Sequence, residues 1–284
     1  MREQKFSNIL NNGVVNLYRG CTHGCIYCDS RSLCYGVRDF ENVVAKEGAV
    51  SQLGKELRKK KTKKMIRTGS MCDPYIPLEQ KLNLTRGMLE EVYKQGFGIC
   101  LLTKSSLVLR DLELLRKINE RTMAIVEMTV TTFDDELCKI IEPNVSVTSE
   151  RFETLKTLNN NGIETLVWIS PILPFINDTE ENIQKIVEKL GEIGTKRIIM
   201  FGFGVTLREG NREYFYKMLD KHFPGVKERY IKTFGYNYMC NSPNSEKLWE
   251  VFKKECERWG IIYDYNAHEK YYKSLTFKNQ LSMF

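Results

Sequence analysis

Apolar and β-branched residues gather in six short runs along this chain, at 14–18, 65–68, 98–103, 123–132, 164–170 and 197–203. Short runs of that composition, bounded by Gly, Asn, Ser or Pro, predict β-strands. Between and after them, apolar positions recur with helical period at 50–60, 84–95, 109–119, 149–161, 179–193 and 212–222. Ser149 with Phe152 and Glu153, and Asp178-Thr179 with Glu181, read as helix starts, where a short side-chain oxygen caps free amides. Asn161-Gly162 reads as a helix stop, because glycine accepts the left-handed backbone that ends a helix. Each strand is thus followed by a helix, a pattern that requires parallel strands joined by helical crossovers. The expected fold is α/β, a partial (β/α)6 TIM-like barrel whose chemistry collects at the carboxyl ends of the strands.

The alternation stops near residue 222, which predicts a barrel core over 1–222 and a small C-terminal extension over 223–284 packing on or over it. The extension holds a helical pattern at 246–259, an apolar run at 261–263 and the tyrosines Tyr230, Tyr236, Tyr238, Tyr263, Tyr265, Tyr271 and Tyr272. So many aromatics suit a lid over an open barrel, or a platform on which bases stack.

Charge adds one feature. The formal net charge is +7, and part of it lies in Arg58-Lys59-Lys60-Lys61-Thr62-Lys63-Lys64. Lining a substrate face, that run would attract phosphates; between a helix end and a strand start it reads as a solvated turn complementing the helix dipole. No run approaches the roughly 20 apolar residues that cross a bilayer, and residues 1–10 lack the apolar segment of a secretory signal. The expected location is the cytoplasm, with no membrane partner.

Nine cysteines, an odd number in a chain of 284 residues, point to metal or free thiols rather than a disulfide framework. Cys21, Cys25, Cys28 and Cys34 fall within fourteen residues, whereas Cys72, Cys100, Cys138, Cys240 and Cys256 are scattered. The segment Gly20-Cys21-Thr22-His23-Gly24-Cys25-Ile26-Tyr27-Cys28 directly follows the first predicted strand, at the end where an active site is expected. Thiolates suit iron-sulfur clusters or zinc, and three without an obvious fourth leave one iron of a cluster open to a small molecule. The zinc alternative recruits Cys34 or His23 as fourth ligand of a tetrahedral site, without the paired Cys-x-x-Cys units usual in zinc modules.

Cys-x-x-x-Cys-x-x-Cys with an aromatic, Tyr27, before the last cysteine resembles the signature of the radical SAM superfamily. The resemblance implies a 4Fe-4S cluster held by Cys21, Cys25 and Cys28, whose open iron chelates S-adenosyl-L-methionine. It implies reductive cleavage of that molecule to a 5'-deoxyadenosyl radical, hydrogen abstraction from a substrate, and a reductant such as flavodoxin or ferredoxin. Tyr27 would pack beside cluster and cofactor, or simply pack the loop. Strand ends would hold the cofactor: Ser70 or Asp73 for its ammonium, Lys104 for its carboxylate, and Thr129 and Thr131 for ribose or carboxylate. Ile172, in the apolar bend at 168–174, would serve backbone recognition of adenine.

Gly69-Ser70-Met71-Cys72-Asp73-Pro74-Tyr75, Thr103-Lys104-Ser105, Leu109-Arg110-Asp111, Thr131-Thr132-Phe133-Asp134, Glu142-Pro143 and Asn241-Ser242-Pro243-Asn244 resemble the spore photoproduct lyase-like branch. The lyase itself repairs a thymine lesion in DNA, with a cysteine as hydrogen donor and a tyrosine directly after the last cluster cysteine. Here Asp29 follows Cys28. Cys72 is either a redox participant or a buried inert thiol. The substrate is open between nucleic acid and a peptide or small metabolite, and the other class of reading is a non-catalytic iron-sulfur or zinc protein.

Overall fold

The six apolar runs pair side by side in chain order. In the computed structural model they contribute β1 (Val14–Val15), β2 (Met65–Thr68), β3 (Gly98–Thr103), β4 (Ala124–Thr129), β5 (Glu164–Trp168) and β6 (Ile198–Ile199). Every neighbouring pair is parallel, and Leu10–Asn11 adds one antiparallel edge strand beyond β1. Among the described residues β6 does not pair with β1, so the sheet stays open rather than closing into a barrel. The structure describes residues 2–4, 8–37, 39–264, 266–267 and 271; Tyr265, Tyr272 and the end of the extension lie outside them.

The helices after these strands are α1 (Ala49–Arg58), α2 (Leu84–Gln95), α3 (Leu112–Arg121), α4 (Thr148–Asn160), α5 (Glu180–Glu192) and α6 (Asn211–His222). Strand alternation sends Ile99, Leu101, Ala124, Val126, Met128 and Val167 into the main core, where Leu53, Met88, Leu115 and Ile183 of the helices meet them. The opposite face carries Cys100, Glu127 and Trp168, joined by bonds from the Cys100 thiol (3.0 Å) and the Trp168 Nε1 (2.9 Å) to the Glu127 carboxylate.

Several predicted boundaries shift, each for a local reason. Only Val14–Val15 of the first run enters the sheet. Tyr18–Arg19 instead pairs antiparallel with Val44–Lys46, and the Tyr18 hydroxyl donates to the buried Glu79 carboxylate. The sixth run ends at Ile199; Gly202, at φ +140°, turns the chain, and Gly204–Thr206 pairs antiparallel with Met239–Asn241. The third helix begins later than its pattern because Ser105 caps a 3-10 turn over Ser106–Asp111. Thr179 caps α5 as predicted, whereas Ser149 lies inside α4 and bonds Asp135.

Beyond residue 222, the helix Val226–Phe234 and α7 (Ser245–Trp259) contribute to two cores. Leu248, Phe252 and Cys256 join the main one, with Trp259 lying over Gly191 of α5. Tyr230, Phe234 and Cys240 join a smaller one with Cys25, Ile26 and Tyr27.

A charged pair ties α4 to β4. Arg151 is wholly buried; its Nη1 donates to the Thr129 carbonyl (2.9 Å), its Nε to the Ser146 carbonyl (2.7 Å) and its Nη2 to Glu142 Oε2 (2.5 Å). Burial by itself would raise the Glu142 carboxyl, but the Arg151 and Lys104 charges overcome it and hold the group below the usual glutamate value.

Two consequences for stability can be measured in the apo-protein. A Cβ at Gly191 would stand 2.1 Å from the Trp259 ring, so Gly191→Ala should lower the free energy of urea unfolding by about 1–3 kcal/mol. A depressed folded-state carboxyl stabilises fully above its unfolded pKa, about 4.3 for glutamate, and that contribution disappears as pH falls through the folded value. Urea midpoints from pH 7 down to 3 should therefore decline below the glutamate range. Arg151→Met should weaken that dependence and destabilise by about 3–5 kcal/mol at pH 7, because it strands a buried carboxylate.

Candidate active site

The cysteine loop leaves the small sheet after Arg19 through Gly20, at φ +84°, where a Cβ would stand 2.4 Å from the Phe40 carbonyl. The Cys21 amide donates to that same carbonyl at 2.9 Å. From there the loop lies along the turn at 141–144. Ile26 N donates to the Ile141 carbonyl (3.0 Å), Asn144 N to the His23 carbonyl (3.1 Å) and Asn144 Nδ2 to the Thr22 carbonyl (2.9 Å). Gly24 sits against Pro143, and the Tyr27 hydroxyl donates to Glu142 Oε1.

Cys21 and Cys25 are buried and Cys28 half-buried, all three as free thiols close enough to influence one another's ionisation. A hydrogen bond from the Cys72 thiol, helped by His23, brings Cys21 down to about 6 against the effect of burial. Burial pushes Cys25 and Cys28 up, Cys25 strongly.

Asp73, after β2, binds its surroundings with both oxygens. Its Oδ1 accepts from Thr103 Oγ1 (2.7 Å) and Tyr75 N (2.8 Å); its Oδ2 accepts from Lys104 N (2.7 Å) and lies 3.4 Å from His23 Nδ1. The carboxylate thus fastens the ends of β2 and β3 to the cysteine loop. Lys104 projects a charge toward Cys25, Glu142 and Asp73, which raise its pKa although burial works against them. Its ammonium forms no hydrogen bond or ion pair with a described residue. Two residues past β4, the buried Thr131 hydroxyl has no hydrogen-bond partner among the described residues, while the Thr131 carbonyl accepts from Asn177 (2.7 Å) and Asn182 (3.1 Å).

A cavity of about 400 Å³ opens beside the loop. Tyr27, Cys28, Asp29 and Ser70 line it, with Trp168, Ser170 and Pro171 from the end of β5 and with Phe201, Met239 and Asn241. Of the residues expected to bind cofactor, Tyr27 and Ser70 line this space. Asp73, Lys104, Thr129 and Thr131 are not on its walls, and Ile172 is wholly buried in the main core while Ser170 and Pro171 face the cavity. Cys72 is also off the walls, buried against Cys21 with its sulfur 3.4 Å from the Asp73 carbonyl oxygen.

Sequence reasoning left His23 unassigned and missed Glu127, Phe201 and Arg151. His23 lies inside the motif, but Arg151 carries no local sign, being one arginine on an ordinary helix. The basic run at 58–64 joins the end of α1 to the amino end of β2, whereas Ser70 follows the carboxyl end of that strand. The two lie at opposite ends of the sheet.

Comparison with known proteins bears on this arrangement. Residues 15–180 match the model of the Radical SAM superfamily. An uncharacterised protein of Methanocaldococcus jannaschii is 37% identical over 170 residues, 59% of this chain and 62% of that protein. The chain spans just under two thirds of the length of this and the next curated relatives. A mutant of spore photoproduct lyase, solved with bound AdoMet and dinucleoside spore photoproduct, superimposes with a TM-score of 0.63 at 13% identity. That match covers 87% of this chain and 75% of the other. A radical S-adenosylmethionine methyltransferase from Kitasatospora setae, with cobalamin and a 4Fe-4S cluster bound, gives 0.60 at 12% identity over 89% of this chain and 54% of its own. The family match spans more than half of the chain and contains the three loop cysteines, so this protein belongs to the radical SAM superfamily.

Proposed function

We propose that Cys21, Cys25 and Cys28 hold a 4Fe-4S cluster and that the adjoining cavity takes S-adenosyl-L-methionine, making the protein a radical SAM enzyme. The observation that carries this is the opening of a buried three-thiol loop, through Cys28, onto a cavity of about 400 Å³. The donor set fits: three thiols on one loop, with the Lys104 charge acting on Cys25 and the Ser70 side chain on the cavity wall. Bound together, cluster and cofactor supply one-electron cleavage to a 5'-deoxyadenosyl radical, which removes hydrogen from a substrate.

The chain's own residues bind, orient and exclude water. Ser70, on the cavity wall, accepts from the cofactor ammonium, while Lys104, behind the wall, contributes positive charge near Cys25. Asp73 acts indirectly, since both of its oxygens are engaged in holding Lys104, Thr103 and His23 in place. Tyr27 and Trp168, both in the lining, help to exclude solvent from the cavity.

A nucleic-acid substrate is favoured by the aromatic and cationic rim rather than by the distant basic run. Phe201 is 58% and Met239 51% exposed at the cavity edge. Tyr238 lies beside Met239 and carries Arg208 on its ring, 4.7 Å from the centroid. Exposed rings and a guanidinium bind single strands by stacking and charge.

Anaerobic reconstitution should give a brown protein that releases 5'-deoxyadenosine under dithionite, and Cys21→Ala, Cys25→Ala or Cys28→Ala should abolish both colour and product. An intact cluster without product would sink the enzymatic reading. For the substrate, electrophoretic shifts of single-stranded DNA or RNA should weaken with salt. They should fall about 10-fold in Phe201→Ala or Arg208→Ala and remain when Lys59, Lys60 and Lys61 are neutralised. No shift at low salt would favour a peptide or metabolite.

A further inference from the structure

Glu142 lies 115 residues from Tyr27 in sequence and touches the cysteine loop only through folding. Its two oxygens are divided between partners on different elements, Tyr27 in the loop and Arg151 on α4, and the Cys138 thiol donates to Oε2 at 3.6 Å. Arg151 carries the connection on to the carbonyls of Thr129 and Ser146. On either side of Glu142, Ile141 and Asn144 bond the backbone of the same loop. A buried ion pair of this kind adds little stability over well-packed apolar side chains, but it fixes the direction of each partner. Tyr27, between Cys25 and Cys28, is the side chain so directed.

We infer that Glu142 is a positioning residue for the cluster loop: through the Tyr27 hydroxyl it fixes the 25–28 span, and its charge sets the electrostatic environment of Cys25. The inference rests on the cluster assigned above. Glu142 and Arg151 offset one another, with the Lys104 cation on the side of Cys25. Removing the carboxylate charge leaves an excess of positive charge near the thiolates, which favours the added electron.

The test uses reconstituted holoprotein and two conservative variants. Tyr27→Phe deletes only the hydroxyl, and Glu142→Gln keeps the shape of the acceptor but removes its charge. In Tyr27→Phe, iron should pass to the chelator bathophenanthroline about 10-fold faster than in wild type when both are held at the same interval below their apo-protein melting temperatures, the loss expected for one hydrogen bond to a charged group. In Glu142→Gln, electron paramagnetic resonance titration should place the cluster midpoint at a more positive potential. Wild-type iron loss and an unmoved potential would overturn the inference, as would faster iron loss that merely tracks a lower melting temperature. Should Glu142→Gln fail to fold, the Tyr27→Phe rate decides. A wild-type protein that takes up no cluster would overturn both this inference and the function on which it rests; an intact wild-type cluster with indifferent variants would overturn this inference alone.

Discussion

A carboxylate with no access to water must find its counter-charges inside the protein, and Glu142 finds them in Arg151 and Lys104. That constraint organises the molecule around the cysteine loop. Arg151 is held by the end of β4 and the start of α4, Lys104 follows β3, and Tyr27 belongs to the loop itself. The loop, lacking a place in the parallel sheet, borrows its rigidity from a turn more than one hundred residues away.

The two ends of the sheet are built for different purposes. At the amino ends, turns such as 58–64 carry solvated lysines. At the carboxyl ends, polar side chains are buried and mutually bonded: Asp73 with Thr103 and His23, Glu142 with Arg151 and Tyr27. Parallel crossovers put helices over one face of the sheet and leave the other for Glu127, Cys100 and Trp168, whose bonds hold the indole at the cavity wall. Among the described residues the Thr131 hydroxyl is one of several buried polar atoms without a hydrogen-bond partner.

The segment after α6 completes that wall. Met239–Asn241 pairs with Gly204–Thr206, bringing Met239 and Asn241 to the cavity, while α7 packs against α5 in the main core. Part of the cavity lining is therefore contributed from beyond the last strand of the parallel sheet.

Alternating strand and helix patterns by themselves determined the six parallel strands, because hydrophobic period records which face of an element is buried. Cysteine spacing pointed to the loop, because the three ligands proposed for one cluster must lie within reach on a short span of chain. The folded structure decided what spacing along a chain cannot encode. The first run splits because Tyr18 reaches Glu79, and the sixth ends early because Gly202 turns the chain away. Asp73, readable as a free acceptor, is engaged on both oxygens, and Ile172 faces the core while Pro171 faces the cavity. Arg151, unremarkable in sequence, becomes the counter-ion of the loop's support, since a charge acquires its partner only when distant elements come together.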